Sequence, residues 1–280
     1  TGIPAGVRLI SRYCFTGCLR CLGGLTMRKW RHYFSEKYIL FSLVIIFSLF
    51  WVSGGWTDAD GKAHINLELF KNRYIIENFG ISFFLNAFGS GTLSLFSPLV
   101  AGYMAVMFLL DKKKSGFSSL EIYRIGKKRY LFESFWCTCT VSGIIYLMAY
   151  IVYVISIFFI SVKMPVSVDY GIVLKNMICM MFYGAQNTVL AQIMACFLKS
   201  RYLTICLPFL FCYLYGRVLA SVSVKILNLG HIKWMWILDH ISFETVFRKD
   251  FYSFVLSGLF IVIGYELYKY LAGLNLKRGI

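Results

Sequence analysis

Runs of about twenty apolar residues, each closed by charged residues, recur along the chain and restrict its fold more than any other feature. A helix of about 20 residues is long enough to cross the hydrocarbon core of a bilayer. It also satisfies its own backbone hydrogen bonds, which lipid requires. We identify such runs at residues 38–53, 92–110, 136–160, 172–198, 202–224 and 251–273. They predict an all-α, polytopic membrane protein with six transmembrane helices.

The composition excludes the main soluble classes. Hydrophobic residues make up 59% and charged residues 15% of the 280 positions, and a soluble domain of this size would not bury so much apolar surface. A disordered chain would be poor in aromatic residues, whereas this chain has 26 Phe and 19 Tyr. Most of its mass is therefore expected in lipid.

The basic charge predicts the orientation of the chain. A net charge of +16 would suggest nucleic acid in a soluble protein, but here about 19 of the 29 Lys and Arg residues fall in alternate segments on one side of the spans. Basic residues collect on the cytoplasmic side of a membrane. We therefore predict cytoplasmic tails at 1–37 and 274–280, a transmembrane domain at 38–273, and no nucleic-acid partner. Because Met27 precedes a basic cluster and resembles a natural start, residues 1–26 are a candidate upstream extension, and whether they are native stays open.

Two segments on the opposite side contain apolar residues that favour a membrane surface. Residues 67–84 are roughly amphipathic, and residues 225–250 include Trp234 and Trp236, which prefer the interface. We expect helices that lie along the outer membrane surface in both segments.

No cofactor, metal or catalytic group is predicted. Cys14, Cys18 and Cys21 have the spacing that holds the four-iron cluster of radical S-adenosylmethionine enzymes. Those enzymes need a barrel domain after the motif, whereas apolar runs follow here, and the role of these thiols stays open. His231 and His240 match no zinc spacing.

Polar residues within the predicted spans are costly to place in lipid. Gln186, Asn187 and Gln192 lie in the fourth run and Arg217 lies in the fifth. One interpretation is a polar path for a substrate between the helices. The other is hydrogen bonding between helices together with snorkelling of Arg217 to the interface.

The loop at 111–130 between the second and third runs is the most informative inner segment. Ser118 or Ser119 is suited to cap a short helix, and Gly126 is suited to end it. Leu120, Ile122 and Ile125 form an apolar side, while Glu121 and Arg124 form a charged one. Such a helix would provide a binding surface for a cytoplasmic partner. The simpler alternative is a basic cytoplasmic loop that binds no partner.

This loop resembles that of the permease subunits of type-2 ABC transporters. The shared pattern comprises Asp111, Ser115-Gly116, the short helix at 122–124, and 126–130 with its Lys-Lys-Arg-Tyr. The resemblance extends to the six-span layout. It implies that residues 115–126 form a coupling helix that contacts an ATPase, through Ser115, Gly116, Glu121, Ile122, Tyr123 and Arg124.

The same resemblance implies the partners. A second permease subunit, identical or related, and separate ATP-binding cassette subunits that bind ATP and Mg would complete the transporter. Export of a peptide, drug or lipid across a bacterial cytoplasmic membrane is expected, including export of, or immunity to, a bacteriocin. Two alternatives remain: a regulatory or channel-like membrane protein with no energy source, and an intramembrane enzyme, for which Glu266 is the acid within the runs.

Overall fold

The computed structural model describes eight stretches of the chain: 36–53, 55–57, 63–70, 92–114, 116–161, 170–198, 200–225 and 251–277. The chain divides into two units, residues 1–40 and 41–280. The first contributes only the start of a helix to the described residues, and the contacts below belong to the second.

Helices dominate the described residues. They are α1 (Glu36–Val52), α2 (Thr92–Lys114), α3 (Phe117–Ile125), α4 (Lys127–Ser161), α5 (Tyr170–Phe197), α6 (Arg201–Lys225) and α7 (Phe251–Lys277). The all-α class predicted from the sequence is confirmed. A small antiparallel hairpin, β1 (Gly55–Thr57) and β2 (Ala63–Ile65), follows α1 and leads into a 3₁₀ helix, Asn66–Phe70. The hairpin was not predicted.

Among the described helices, one, α4, is long and apolar enough to cross a membrane. Its stretch Lys127–Ile160 is long and apolar enough, while Tyr38–Val52 and Arg201–Phe211 are shorter apolar stretches. At 1.5 Å per residue, the 35 residues of α4 extend about 52 Å, well beyond a hydrocarbon core of about 30 Å. The helix starts nine residues before the predicted run, because the helical path is interrupted at Gly126 and the charged residues that follow it are already helical.

The other helices begin and end within a few residues of the predicted runs. Pro98 lies inside α2 and Pro208 inside α6, as expected where neighbouring helices compensate for the missing backbone donor. Within α7, Lys269 Nζ lies 2.9 Å from Glu266 Oε2.

Helix α5 occupies the centre of the described helices. It packs against α2, α4, α6 and α7. Small residues permit the closest contact, since a Cβ on Gly184 of α5 would lie 2.7 Å from Tyr146 Cδ2 and 2.9 Å from the Ser142 carbonyl oxygen of α4. Glycine at such contacts is typical of membrane helices, where backbones approach closely.

The hydrophobic core near the short helix α3 combines three long helices. Its buried residues are Tyr130, Leu131, Phe135 and Cys139 of α4, Val189 of α5, and Ile261 and Tyr268 of α7. We call this set the inner cluster. Ile122 and Ile125 of α3 and Ala272 of α7 pack against it, so the end of α7 and the short helix contact the same core.

Several predictions fall outside the described residues. These include the tails at 1–35 and 278–280, the thiols Cys14, Cys18 and Cys21, most of the outer segment at 67–84, and the outer loop at 226–250.

Candidate functional site

The short helix α3 is separated from its neighbours by a glycine at each end. Gly116 has φ 72° and Gly126 has φ 82°, values that disfavour residues with a Cβ. Gly126 ends α3 as predicted, and its N–H donates to the Ile122 carbonyl. The predicted serine cap is wrong: Gly116, which has no side chain to form a cap hydrogen bond, holds the N-cap position in a left-handed conformation.

The two sides of α3 differ in burial. Ile122 and Ile125 are half-buried against the inner cluster. On the other side Tyr123 is 94% exposed and Leu120 is 68% exposed, with exposed Arg124 beside them. The helix is therefore fixed to the bundle on one side and presents an aromatic ring, an aliphatic side chain and a guanidinium on the other. Tyrosine and arginine are enriched where protein partners bind.

The predicted loop residues are placed as follows. Gly116, Ile122, Tyr123 and Arg124 lie within or next to α3, and Glu121 is half-buried on it. Ser115 lies outside the described residues. The structure thus brings five of the six predicted coupling residues together on one short element, although Ile122 contacts the core and not the surface.

Basic residues at the start of α4 continue from α3. Lys127 Nζ donates to the Gly273 carbonyl of α7 at 3.0 Å, and Arg129 Nε lies 2.8 Å from Glu133 Oε1. Lys128 is exposed. The three cations therefore differ in role: one contacts another helix, one pairs within its own helix, and one faces outward.

The three predicted amides of α5 are buried. Asn187 Nδ2 donates to the Tyr183 carbonyl at 3.1 Å and lies 3.5 Å from Ser97 Oγ of α2. Gln192 Nε2 lies 3.4 Å from the Phe135 carbonyl of α4. Gln186 is 1% exposed. Two of these amides therefore connect α5 to neighbouring helices, in agreement with interhelical hydrogen bonding. The side chain of Arg217, in α6, lies outside the described residues.

A row of tyrosines on α4 was missed by sequence reasoning. Tyr146, Tyr150 and Tyr153 are among the largest fully buried side chains, and their spacing of four and three residues places them on one helix face. The regular spacing within an apolar run was the available signal. We call them the tyrosine row.

Each hydroxyl of the tyrosine row contacts a different element. Tyr146 donates to the Ser97 carbonyl of α2 at 2.8 Å. The Asn176 amide of α5 donates to the Tyr150 hydroxyl at 3.2 Å. At the other end the Asn66 amide, from the 3₁₀ helix, donates to the Tyr153 hydroxyl at 2.9 Å. Ser97 Oγ and the Tyr183 hydroxyl also form a short hydrogen bond.

The buried polar groups of the described residues are all electrically neutral. They are Ser42, Ser53, Asn66, Ser97, Ser134, Thr138, Ser142, Asn176, Gln186, Asn187, Thr188, Gln192, Thr204 and Ser257. Hydroxyl and amide groups both donate and accept hydrogen bonds. This interior is therefore suited to neutral hydrogen-bonding groups. Within the described part of the chain, no group of three His, Cys, Asp or Glu residues is arranged to hold a metal ion.

Comparison with known proteins does not assign a family. No protein-family profile matches the chain, and no curated protein sequence matches it.

Proposed function

We propose that the chain is the membrane-embedded permease subunit of an ATP-driven transporter, similar to type-2 ABC permeases. The observation that carries this proposal is α3: a helix of nine residues, set apart by two glycines, seated on the core by Ile122 and Ile125, and presenting Leu120 and Tyr123. An apolar pair exposed on a short helix within a basic loop is suited to insertion into a groove of a cytoplasmic partner.

The membrane part of the proposal extends from α4 to the remaining long helices. Helices α1, α2, α5, α6 and α7 overlap the five other apolar runs, and six spans would place residues 1–37 and 274–280 on the same side. The excess of basic residues on that side supports a cytoplasmic location. We therefore propose a multi-pass protein of a bacterial cytoplasmic membrane.

ATP and Mg belong to the partner in this proposal. The resemblance supplies separate ATP-binding cassette subunits, which would contact α3, and a second permease subunit. Movement of α3 would then re-pack the spans. This chain would supply the path, and the ATPase would supply the energy.

The proposed path for cargo follows the neutral interior between α2, α4 and α5. Gln186, Asn187 and Gln192 lie there with the tyrosine row, and Arg217 lies in the adjacent α6. In the structure Asn187 and Gln192 are bonded to Ser97 and to the Phe135 carbonyl, and the hydroxyls of the tyrosine row are bonded to Ser97, Asn176 and Asn66. Opening of the helices would expose the same groups to a peptide, drug or lipid.

Purification from native membranes tests the proposal. We expect an ATP-binding protein to copurify in mild detergent, with ATP hydrolysis that cargo stimulates. Arg124→Glu should abolish the stimulation without loss of folding, whereas Lys128→Glu, the same charge change on α4, should retain most of it.

Two results would contradict this function. Purified protein without an ATPase, together with unchanged behaviour of Arg124→Glu, would remove the proposed motor. Transport that continues after loss of the ATPase would instead favour a channel-like protein.

A further inference from the structure

The side chain of Lys127 joins two helices that are far apart in sequence. Its ammonium donates to the Gly273 carbonyl oxygen at 3.0 Å, across 146 positions. Lys127 is the first residue of α4 and directly follows Gly126, which ends α3. The bond therefore links the junction of α3 and α4 to the last part of α7.

The location of this bond suits a cation. Gly273 lies one turn before Lys277, the last residue of α7, and the carbonyls at a helix C-terminus carry partial negative charge. Lys127 is half-buried, so solvent screens the contact less than at an exposed site. The carbonyl has a second lone pair for a donor from outside the helix. The contact is therefore a partly buried hydrogen bond between α4 and α7.

The apolar contacts around Lys127 connect the same elements. Ile122 and Ile125 of α3 pack on the inner cluster, and so does Ala272, the neighbour of Gly273. Tyr268 of α7 is buried in that cluster. The backbone continues the connection, since Gly126 N–H donates to the Ile122 carbonyl and Tyr130 N–H donates to the Gly126 carbonyl.

We propose that Lys127 is a positioning residue that ties α3 to the end of α7, so that displacement of α3 reaches α7 directly. An apolar contact alone would let α3 slide over the cluster. The charge-assisted bond adds a polar attachment at the residue where α3 and α4 meet. The consequence for transport rests on the proposed function, whereas the tie itself is a property of this chain.

Hydrogen–deuterium exchange on the purified full-length chain tests the tie without any partner. Lys127→Met keeps an unbranched side chain of similar length but removes the ammonium donor. We expect amide exchange to become about tenfold faster both in α3 and at residues 274–277, because removal of a hydrogen bond to a charged group lowers the free energy of local opening. Lys127→Arg, which keeps a cationic donor, should restore most of the protection.

Lys128→Met is the matched control. It removes an exposed cation from the next position and should leave exchange unchanged in both segments. Unchanged exchange in Lys127→Met would overturn the tie. Faster exchange at the end of α7 alone would also overturn it, because α3 would then be independent of the bond.

Measurement with the copurified ATPase separates the tie from the proposed function. Lys127→Met should still bind the ATPase, but the stimulation of ATP hydrolysis by cargo should fall about tenfold. Lys128→Met is again the control and should keep the wild-type stimulation. Wild-type stimulation retained by Lys127→Met would overturn the transmission step. If wild-type protein binds no ATPase, the proposed function fails, and the exchange experiment still decides the tie.

Discussion

Substitution of Gly184 by alanine should destabilise the protein even though alanine is the better helix former. The added Cβ would lie 2.7 Å from Tyr146 Cδ2 and 2.9 Å from the Ser142 carbonyl oxygen, closer than atoms in contact allow. Tyr146 is 1% exposed, and its hydroxyl is bound to the Ser97 carbonyl at 2.8 Å. The ring has little freedom to move aside, so α4 and α5 must separate.

The expected magnitude follows from two opposing terms. Overpacking a well-packed site lowers the free energy of unfolding by about 1–3 kcal/mol. Replacing a helical glycine by alanine raises it by up to about 1 kcal/mol. Gly258 of α7 isolates the second term, because nothing lies within 4 Å of a Cβ built there. Gly184→Ala should therefore be less stable than Gly258→Ala by about 1–3 kcal/mol.

Equilibrium unfolding of the two variants in detergent, followed by circular dichroism, provides the measurement. For a chain of this size, 2 kcal/mol corresponds to a difference in Tm of roughly 4–8 °C. Equal stability of Gly184→Ala and Gly258→Ala would refute the close contact of α4 with α5, and with it the arrangement of the tyrosine row.

Three further substitutions test other contacts. Asn66→Ala removes two buried hydrogen bonds, to the Tyr153 hydroxyl and the Phe50 carbonyl. In denaturant titrations it should lower the free energy of unfolding by about 1–3 kcal/mol. No loss of stability would contradict the packing of the 3₁₀ helix against α1 and α4. Gln192→Leu should leave the free energy of unfolding unchanged or raise it in the same titrations, because Gln192 Oε1 is buried without a hydrogen-bond partner among the described residues. If Gln192 lines the path, the same substitution should lower cargo transport. Tyr123→Cys should react with a membrane-impermeant maleimide in inside-out vesicles and not in right-side-out ones, since position 123 is 94% exposed; the reverse pattern would overturn the proposed orientation.

Helix positions were predictable because their signal is strong and local. The long apolar runs locate α4 to α7 within a few residues, apart from the start of α4. That start depends on Gly126, a backbone breaker, and not on hydropathy. The short helix α3 was also predictable from a local signal, since glycines flank it. Its N-cap was wrongly assigned to serine, whereas a left-handed Gly116 holds that position.

Contacts between helices were not predictable from one sequence. The amides Asn187 and Gln192 were noticed because polar residues are conspicuous in apolar runs, but their partners Ser97 and Phe135 lie 90 and 57 positions away. Tyr150 was missed because tyrosine fits both a core and a membrane interface. The bond from Lys127 to Gly273 involves a backbone carbonyl, which no side-chain pattern reveals.

Photo-cross-linking from position 123 tests the proposed coupling to an ATPase most directly. A benzoyl-phenylalanine in place of Tyr123 would project from α3, whereas the same residue in place of Tyr170, 77% exposed at the start of α5, would project from the opposite end of the predicted spans. In native membranes, the first should form a covalent adduct with an ATP-binding cassette protein and the second should not. An adduct from both positions, or no ATPase adduct from position 123, would contradict a permease driven through α3.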